Sequence, residues 1–186
     1  MALAHAILAT LLDSSQSGYD LRKCFEGSVG FFWQASFQQI YRELGKLEEQ
    51  GLVQSEAIAQ QGRPDKKVFA VTAEGEAFLQ AWIRTPCEMA PIRDDLLVKM
   101  FAGFLVPKVE MLAELKEHRS LHQERLAIYQ QIQRNAYANP ENLSEKELFH
   151  YLTLCGGIQY EQGWLNWCEE AISILTKSSA SSVSPQ

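Results

Sequence analysis

Gln38, Arg42 and Lys46 recur every fourth residue between Ser36 and Gln50, and Arg63, Lys66 and Lys67 crowd into five residues around a Gly-Arg-Pro turn. An amide beside cations suits a major groove, where Gln can bond the N6 and N7 edge of adenine and Arg can take guanine or a phosphate. The second set suits the sugar-phosphate backbone or a minor groove. Other chemistry is poorly represented. Glu114, His118 and His122, spaced by four, share a helix face that could hold a divalent metal, but nothing completes the set, so a solvated or interface face is expected and no metal site. Cys24, Cys87, Cys155 and Cys168 are separated by 63, 68 and 13 positions, which matches no zinc, CxxC or disulfide framework and leaves buried thiols. With no nucleophile elbow, phosphate loop, metalloprotease motif or outstanding carboxylate pair, catalysis is not supported and no cofactor is implied.

Cations on a helix also describe an ordinary solvated surface, so the elements around them decide. The chain has 186 residues, 46% hydrophobic and 22% charged, with 11 Gly and 6 Pro, which excludes a disordered or fibrous protein. A net charge of −6 argues against indiscriminate nucleic-acid binding but leaves a local basic surface open. Residues 1–84 carry 8 basic and 10 acidic groups and residues 85–186 carry 9 and 13, so neither half is a basic tail. The apolar opening, Ala2 to Leu12, has no Lys or Arg before it and is too short to span a bilayer. It reads as neither signal peptide nor anchor, and a cytoplasmic location is expected.

That run predicts a buried first helix, ended by Asp13-Ser14-Ser15-Gln16. A short amphipathic helix follows from near Ser17 to Gly27, with Tyr19, Leu21, Cys24 and Phe25 on its apolar side. Phe31-Phe32-Trp33 is a linker. Ser36 then caps a helix that reaches Gln50 and stops at Gly51. At 100° per residue Phe37, Ile40, Leu44 and Leu47 form one stripe, and Gln38, Arg42, Gly45 and Lys46 fall opposite. One face packs and the other reads. Leu52–Ile58 and Lys67–Val71, joined by a polar turn, predict a β-hairpin, and Thr72 caps a fourth helix running to about Arg84. Three helices, a hairpin and a helix is the order of a winged helix-turn-helix.

At this point the chain resembles a known family. Ser36-Phe37-Gln38-Gln39-Ile40-Tyr41-Arg42-Glu43-Leu44, continued by Lys46-Leu47-Glu48-Glu49-Gln50-Gly51-Leu52-Val53, then Gly62-Arg63-Pro64 and Thr72-Ala73-Glu74-Gly75, resembles the PadR family of bacterial transcriptional regulators. Gly18-Tyr19-Asp20-Leu21 fits the family's second helix, and Arg93 to Phe101 resembles its C-terminal domain less specifically. The resemblance implies a homodimer on operator DNA, usually a repressor, released by a small molecule or another signal. By position it implies that Tyr41 contacts phosphate, that Gln38, Gln39 and Arg42 face the groove, and that Arg63, Lys66 and Lys67 form the wing. Gly45 and the Gln38-Gln39 pair depart from the family's usual residues, so the operator sequence does not transfer.

Past Pro86 and Pro91, Arg93 to Leu105 predicts a short helix. Pro107 opens one of some 30 residues, and a Ser144/Glu147 capping box opens a last one to about Lys177. In the long helix Leu112, Leu115, Arg119, His122, Leu126, Tyr129, Gln133 and Ala136 follow a 3,4 spacing with Ile128 and Ile132 alongside. Leu112, Leu115, His122, Leu126, Tyr129 and Ile132 are expected to join two subunits, the alternative being packing within one. Gly156, Gly157 and Gly163 lie beside Tyr160, Trp164 and Trp167 and call for close helix packing or room for a ligand. Trp33, Trp164 and Trp167, if they approach one another, would offer a small aromatic effector its pocket.

The expected protein is therefore mainly α: a winged helix over residues 1–86 with a small β-hairpin wing, a helical dimerisation and effector domain over 87–177, and a disordered tail over 178–186. Its expected function is sequence-specific binding of double-stranded operator DNA by a homodimer, with no membrane attachment. The competing class is a helical protein-interaction or ligand-binding module that no longer contacts DNA.

Overall fold

A computed structural model of the chain describes residues 2–26, 33–59, 66–89 and 91–180. Two compact units divide it, Met1–Ala90 and Pro91–Gln186. Gly62, Arg63, Pro64, Phe31, Phe32 and the tail beyond Ala180 lie outside the described residues.

The first unit runs α1 (Ala2–Leu11), β1 (Gln16–Ser17), α2 (Gly18–Glu26), α3 (Phe37–Glu49), β2 (Val53–Ile58), β3 (Lys66–Val71) and α4 (Ala73–Ile83). Its three strands form an antiparallel sheet in the order β1-β3-β2, with Val53 opposite Val71 and Ile58 opposite Lys66. The winged helix expected from the sequence is present. β1 was not expected: two residues are too few to show an alternation of side chains. Ile7, Leu8 and Leu11 of α1, Leu21 and Phe25 of α2, and Ile40, Leu44 and Leu47 of α3 bury with Val53, Phe69 and Leu79 in one core.

Local chemistry fixes the joints of this unit. Ser17 and Asp20 cap α2 reciprocally, the Ser17 hydroxyl and amide donating to Asp20 Oδ2 at 2.7 and 3.4 Å and the Asp20 amide to Ser17 Oγ at 3.3 Å. Gly51 ends α3 at φ 71°, a backbone conformation costly for a side chain. Thr72 Oγ1 accepts from the Gly75 amide at 3.1 Å and donates to the Gly51 carbonyl at 2.6 Å, tying the start of α4 to the end of α3. Gly75 itself is required, because a Cβ there would stand 2.0 Å from the Leu52 carbonyl oxygen.

The second unit comprises α5 (Asp95–Phe101), α6 (Lys108–Ala136) and α7 (Glu145–Ala180), with single 3-10 turns at Gly103–Leu105 and Pro140–Asn142. Asp94 caps α5, and Ser144 with Glu147 closes the capping box that opens α7. At about 1.5 Å per residue α6 and α7 run roughly 43 and 54 Å, packed along each other. Leu115 buries against Leu96 and Cys168, with Met100, Trp164 and Ile172 around them.

The residues expected to join subunits need correction. Leu115, Leu126 and Tyr129 are 0%, 7% and 1% exposed in the single chain, and Leu112, His122 and Ile132 are half-buried. The 3,4 stripe of α6 faces α7, the packing within one subunit that the same spacing also allows. Gly157 belongs to that packing, since a Cβ there would meet the Tyr129 ring at 3.1 Å. Gly156 and Gly163 have no atom of another element over them, and nothing in the described residues accounts for them.

Candidate nucleic-acid interface

Helix α3 is built to present one face. Ser36 Oγ accepts from the Gln39 amide at 3.3 Å while Gln39 Oε1 accepts from the Ser36 amide at 2.8 Å. Ile40, Leu44 and Leu47 then anchor the helix in the core, and Gln38, Arg42 and Lys46 stay exposed on the other side with Gly45 between them. Two side chains depart from expectation. Gln39 stays exposed but lends its Oε1 to the capping box at the helix start. Phe37 leaves the packed stripe and is 46% exposed, its ring tilted 48° against that of Tyr41 one turn on, centroids 4.4 Å apart.

Tyr41 is seated from below. Gly18, at the start of α2, faces its ring so closely that a Cβ would stand 2.3 Å from Cζ and 2.6 Å from Oη. Arg22 of α2 lies 5.9 Å from the centre of the Phe37 ring. Gly18, Phe37, Tyr41 and Arg22 thus form a half-exposed aromatic ledge beside the reading face. Sequence reasoning nominated Tyr41 only, since Gly18 is a contact between helices with no local period.

The cations divide unequally. Lys66 and Lys67 leave strand β3 on opposite sides, as successive strand residues must. Lys66 pairs with Asp20 at 2.8 Å, and Lys67 pairs with Glu48 at 2.7 Å and lies 5.1 Å over the Phe69 ring. Ser55 Oγ also donates to Glu48. Lys66, followed by Ser17, holds the Asp20 carboxyl below its usual range, and Lys67, followed by Ser55, does the same for Glu48. Lys46 pairs with Glu43 at 3.2 Å. Among the described residues Arg42 makes no ion pair, so of the nominated cations there it is the one that presents an uncommitted charge; Arg63 lies outside those residues. Asp20 and Glu48 were missed because they lie 46 and 19 positions from their lysines.

The other nominated groups lie elsewhere. Trp33 is exposed in the first unit, whereas Trp164 and Trp167 meet edge to face in the second, 5.3 Å between centroids. His122 stacks flat on Trp164 at 5.2 Å and donates from Nδ1 to Glu161 at 2.5 Å. Arg125 lies 3.6 Å from the same carboxylate, itself only 2% exposed. Glu114 is taken by Lys99 at 2.5 Å, so the Glu114, His118 and His122 run is shared between separate ion pairs.

This geometry can be set beside known proteins. Residues 7–81 match the transcriptional regulator PadR-like family, and residues 92–176 match the family described as virulence activator alpha C-term. A probable transcriptional regulator of Mycobacterium tuberculosis, Rv1176c, is 34% identical over 187 residues, covering 94% of this chain and 98% of the relative. The chain belongs to the PadR-like family of transcriptional regulators. The negative transcriptional regulator PadR of Bacillus subtilis is 28% identical over 94% of this chain and 98% of its own. PadR in complex with operator DNA superposes with a TM-score of 0.82 at 24% identity, over 94% of this chain and 99% of that one, and PadR has also been solved with p-coumaric acid. The Vibrio cholerae virulence activator AphA is 32% identical, with a TM-score of 0.75 over 95% and 99%. This member of the PadR-like family is thus a transcriptional regulator whose likeness to its relatives extends over both units. Among its described residues no helix is long and apolar enough to cross a membrane.

Proposed function

We propose that the chain binds duplex operator DNA sequence-specifically as a homodimer, with α3 in the major groove and the β2–β3 hairpin along the phosphate backbone. The observation that carries this is α3, anchored by Ile40, Leu44 and Leu47 while Gln38 and Arg42 stay exposed opposite them. PadR, a relative over 94% of the chain, has been crystallised on operator DNA and is named a negative regulator, and repression is proposed here on that likeness. Gln38 and Arg42 read bases, Tyr41 meets a phosphate, and Arg63, Lys66 and Lys67 follow the backbone. The two copies meet through apolar side chains that α6 and α7 leave exposed, Leu121, Ile128, Phe149 and Leu152 among them, since the inner stripe is used within the chain. Two-fold symmetry then calls for palindromic half-sites about one DNA turn apart or a multiple of it. A small aromatic effector, the class to which the p-coumaric acid bound by PadR belongs, acts through the Trp164 and Trp167 cluster by favouring one dimer geometry over another.

Selection of bound DNA from a random pool by the purified chain tests this directly. The expected result is a palindromic consensus whose specificity relaxes on replacing Gln38 or Arg42, by about 1 to 3 kcal/mol per lost base contact. Replacing Arg63, Lys66 and Lys67 together by Ala should weaken all sequences alike. A monomer in solution or an operator without symmetry would sink the dimer mechanism. No binding to any duplex at low salt would favour the protein-interaction module.

A further inference from the structure

A strand that carries two adjacent lysines toward a polyanion is expected to hold them in solvent, yet this hairpin is clamped on both sides. Lys66 is held by Asp20 at the start of α2, 2.8 Å away, and Lys67 by Glu48 near the end of α3, 2.7 Å away. Each carboxylate is itself oriented by a hydroxyl: Ser17 Oγ donates to Asp20 at 2.7 Å, and Ser55 Oγ donates to Glu48 from the facing strand. The four paired residues come from α2, α3 and β3, so the pairs are tertiary contacts and not accidents of one helix face. Their lysines remain 38% and 53% exposed, within reach of an incoming phosphate.

We propose that Asp20 and Glu48 act as internal phosphate surrogates: they hold the wing lysines in place in the free protein and must release or share them when the wing meets DNA, which sets a ceiling on backbone affinity. This rests on the duplex-DNA reading above. A carboxylate presents two oxygens to an ammonium much as a phosphate does, so the exchange conserves the lysine's partner type while charging the complex for the pair that is broken. With both pairs closed the charges of the two lysines are cancelled, and fewer condensed counterions are released on binding than the lysines alone would release. The clamp is therefore a positioning device with a cost, suited to an acidic regulator that must leave random DNA to search for one operator. Asp20 and Glu48 touch no base, and their effect on operator and random duplex is the same in direction.

The test uses the full chain and one random-sequence duplex, with fluorescence anisotropy across a series of potassium chloride concentrations. Asp20→Asn and Glu48→Gln keep an acceptor for Ser17 and Ser55 while removing the charge. Each should tighten binding at low salt by about two- to fivefold, the worth of an exposed ion pair. Each should also steepen the plot of log affinity against log salt by about 0.9 per lysine released. Glu49→Gln, an exposed neighbour changing net charge equally, should do neither to that extent. Lys67→Met should cost more affinity in the Glu48→Gln background than in the wild type. If Glu49→Gln matches Glu48→Gln, or if the slopes stay parallel while the wild type binds, the surrogate role is wrong and the DNA reading stands. If neither wild type nor variants bind any duplex at low salt, the DNA reading fails and the surrogate role with it.

Discussion

Replacing Gly18 by Ala isolates the aromatic ledge from the rest of the fold. The added Cβ would stand 2.3 Å from Tyr41 Cζ, 2.6 Å from Oη and 2.7 Å from Cε2. The ring must therefore withdraw by more than about 1 Å to regain an ordinary separation of roughly 3.5 Å. It can do so, because the obstacle is the end of a side chain 42% exposed and not backbone. Loosening the Phe37–Tyr41 pair costs about 0.5 to 1.5 kcal/mol, and Ala in place of Gly in α2 returns a few tenths, so global stability should move by less than about 1 kcal/mol. Binding should suffer more selectively. A displaced Tyr41 hydroxyl forfeits a phosphate hydrogen bond worth about 0.5 to 1.5 kcal/mol net, a two- to twelvefold loss of affinity. Anisotropy titration of wild type, Gly18→Ala, Tyr41→Ala and the double variant measures the coupling, since two changes acting through one side chain cannot add. The double variant should bind no more weakly than Tyr41→Ala alone. Additive losses, or full affinity in Gly18→Ala, would refute the reasoning that Gly18 exists to seat Tyr41.

At Gly75 the same substitution meets backbone, 2.0 Å from the Leu52 carbonyl oxygen that also accepts from Thr72, so Gly75→Ala should cost about 3 kcal/mol in a urea melt. An unchanged midpoint would show that α4 is free to shift. Glu161→Ala leaves His122 without its partner beside Trp164, while the half-exposed Arg125 turns to solvent, and should lower the stability of the second unit by about 1 to 3 kcal/mol; Glu161→Gln, which keeps an acceptor for His122, should cost clearly less. Burial, then the Glu161 carboxylate, pushes the Tyr129 hydroxyl up to about 12. Because the folded value is raised, its contribution to stability is fully present below the ordinary value of 10.0 and is lost as pH rises through 12. The phenolate absorbance should accordingly include a tyrosine that titrates only near alkaline unfolding, and Tyr129→Phe should reduce that late step by one tyrosine.

Elements with a local cause were legible in the sequence. The Ser36 cap, the Ile40, Leu44 and Leu47 stripe, the Gly51 stop and the hairpin that follows are each written within a few adjacent residues, and together they locate α3 and the face it presents. The pairings that tune that face were not legible. Nothing near Lys66 names Asp20, whereas the Ser36-x-x-Gln39 spacing does carry the capping-box signal that separates Gln39 from Gln38. A helical projection assigns directions to side chains and not partners; hence Phe37 was placed with the packed stripe although Tyr41 and Arg22 draw it out. In α6 the 3,4 spacing identified a packing seam correctly but could not say which helix fills it, because a stripe looks the same to α7 as to a second copy.

The two units therefore differ in what they leave undone. In the first, twelve apolar side chains among the described residues bury around the sheet, and the side of α3 turned away from them is polar or aromatic, although Leu12, Ile58 and Ile83 also stay exposed elsewhere on the unit. In the second, the longest helices of the chain bury few large side chains, and Leu121, Ile128, Phe149 and Leu152 stand more than half exposed. A soluble monomer seldom leaves so much apolar side chain in water along two parallel rods. The buried Glu161, bonded to His122 and paired with the half-exposed Arg125, adds a polar requirement to the same helices, one that tolerates a fixed spacing of α6 and α7 better than a sliding one. A partner that covers the outer apolar side chains without disturbing this inner network would fix the second unit as a frame. The placement of two α3 helices on DNA would then follow from that outer contact, and an effector acting at the Trp164 and Trp167 cluster, which packs on the inner core of the same helices, would reach it through them.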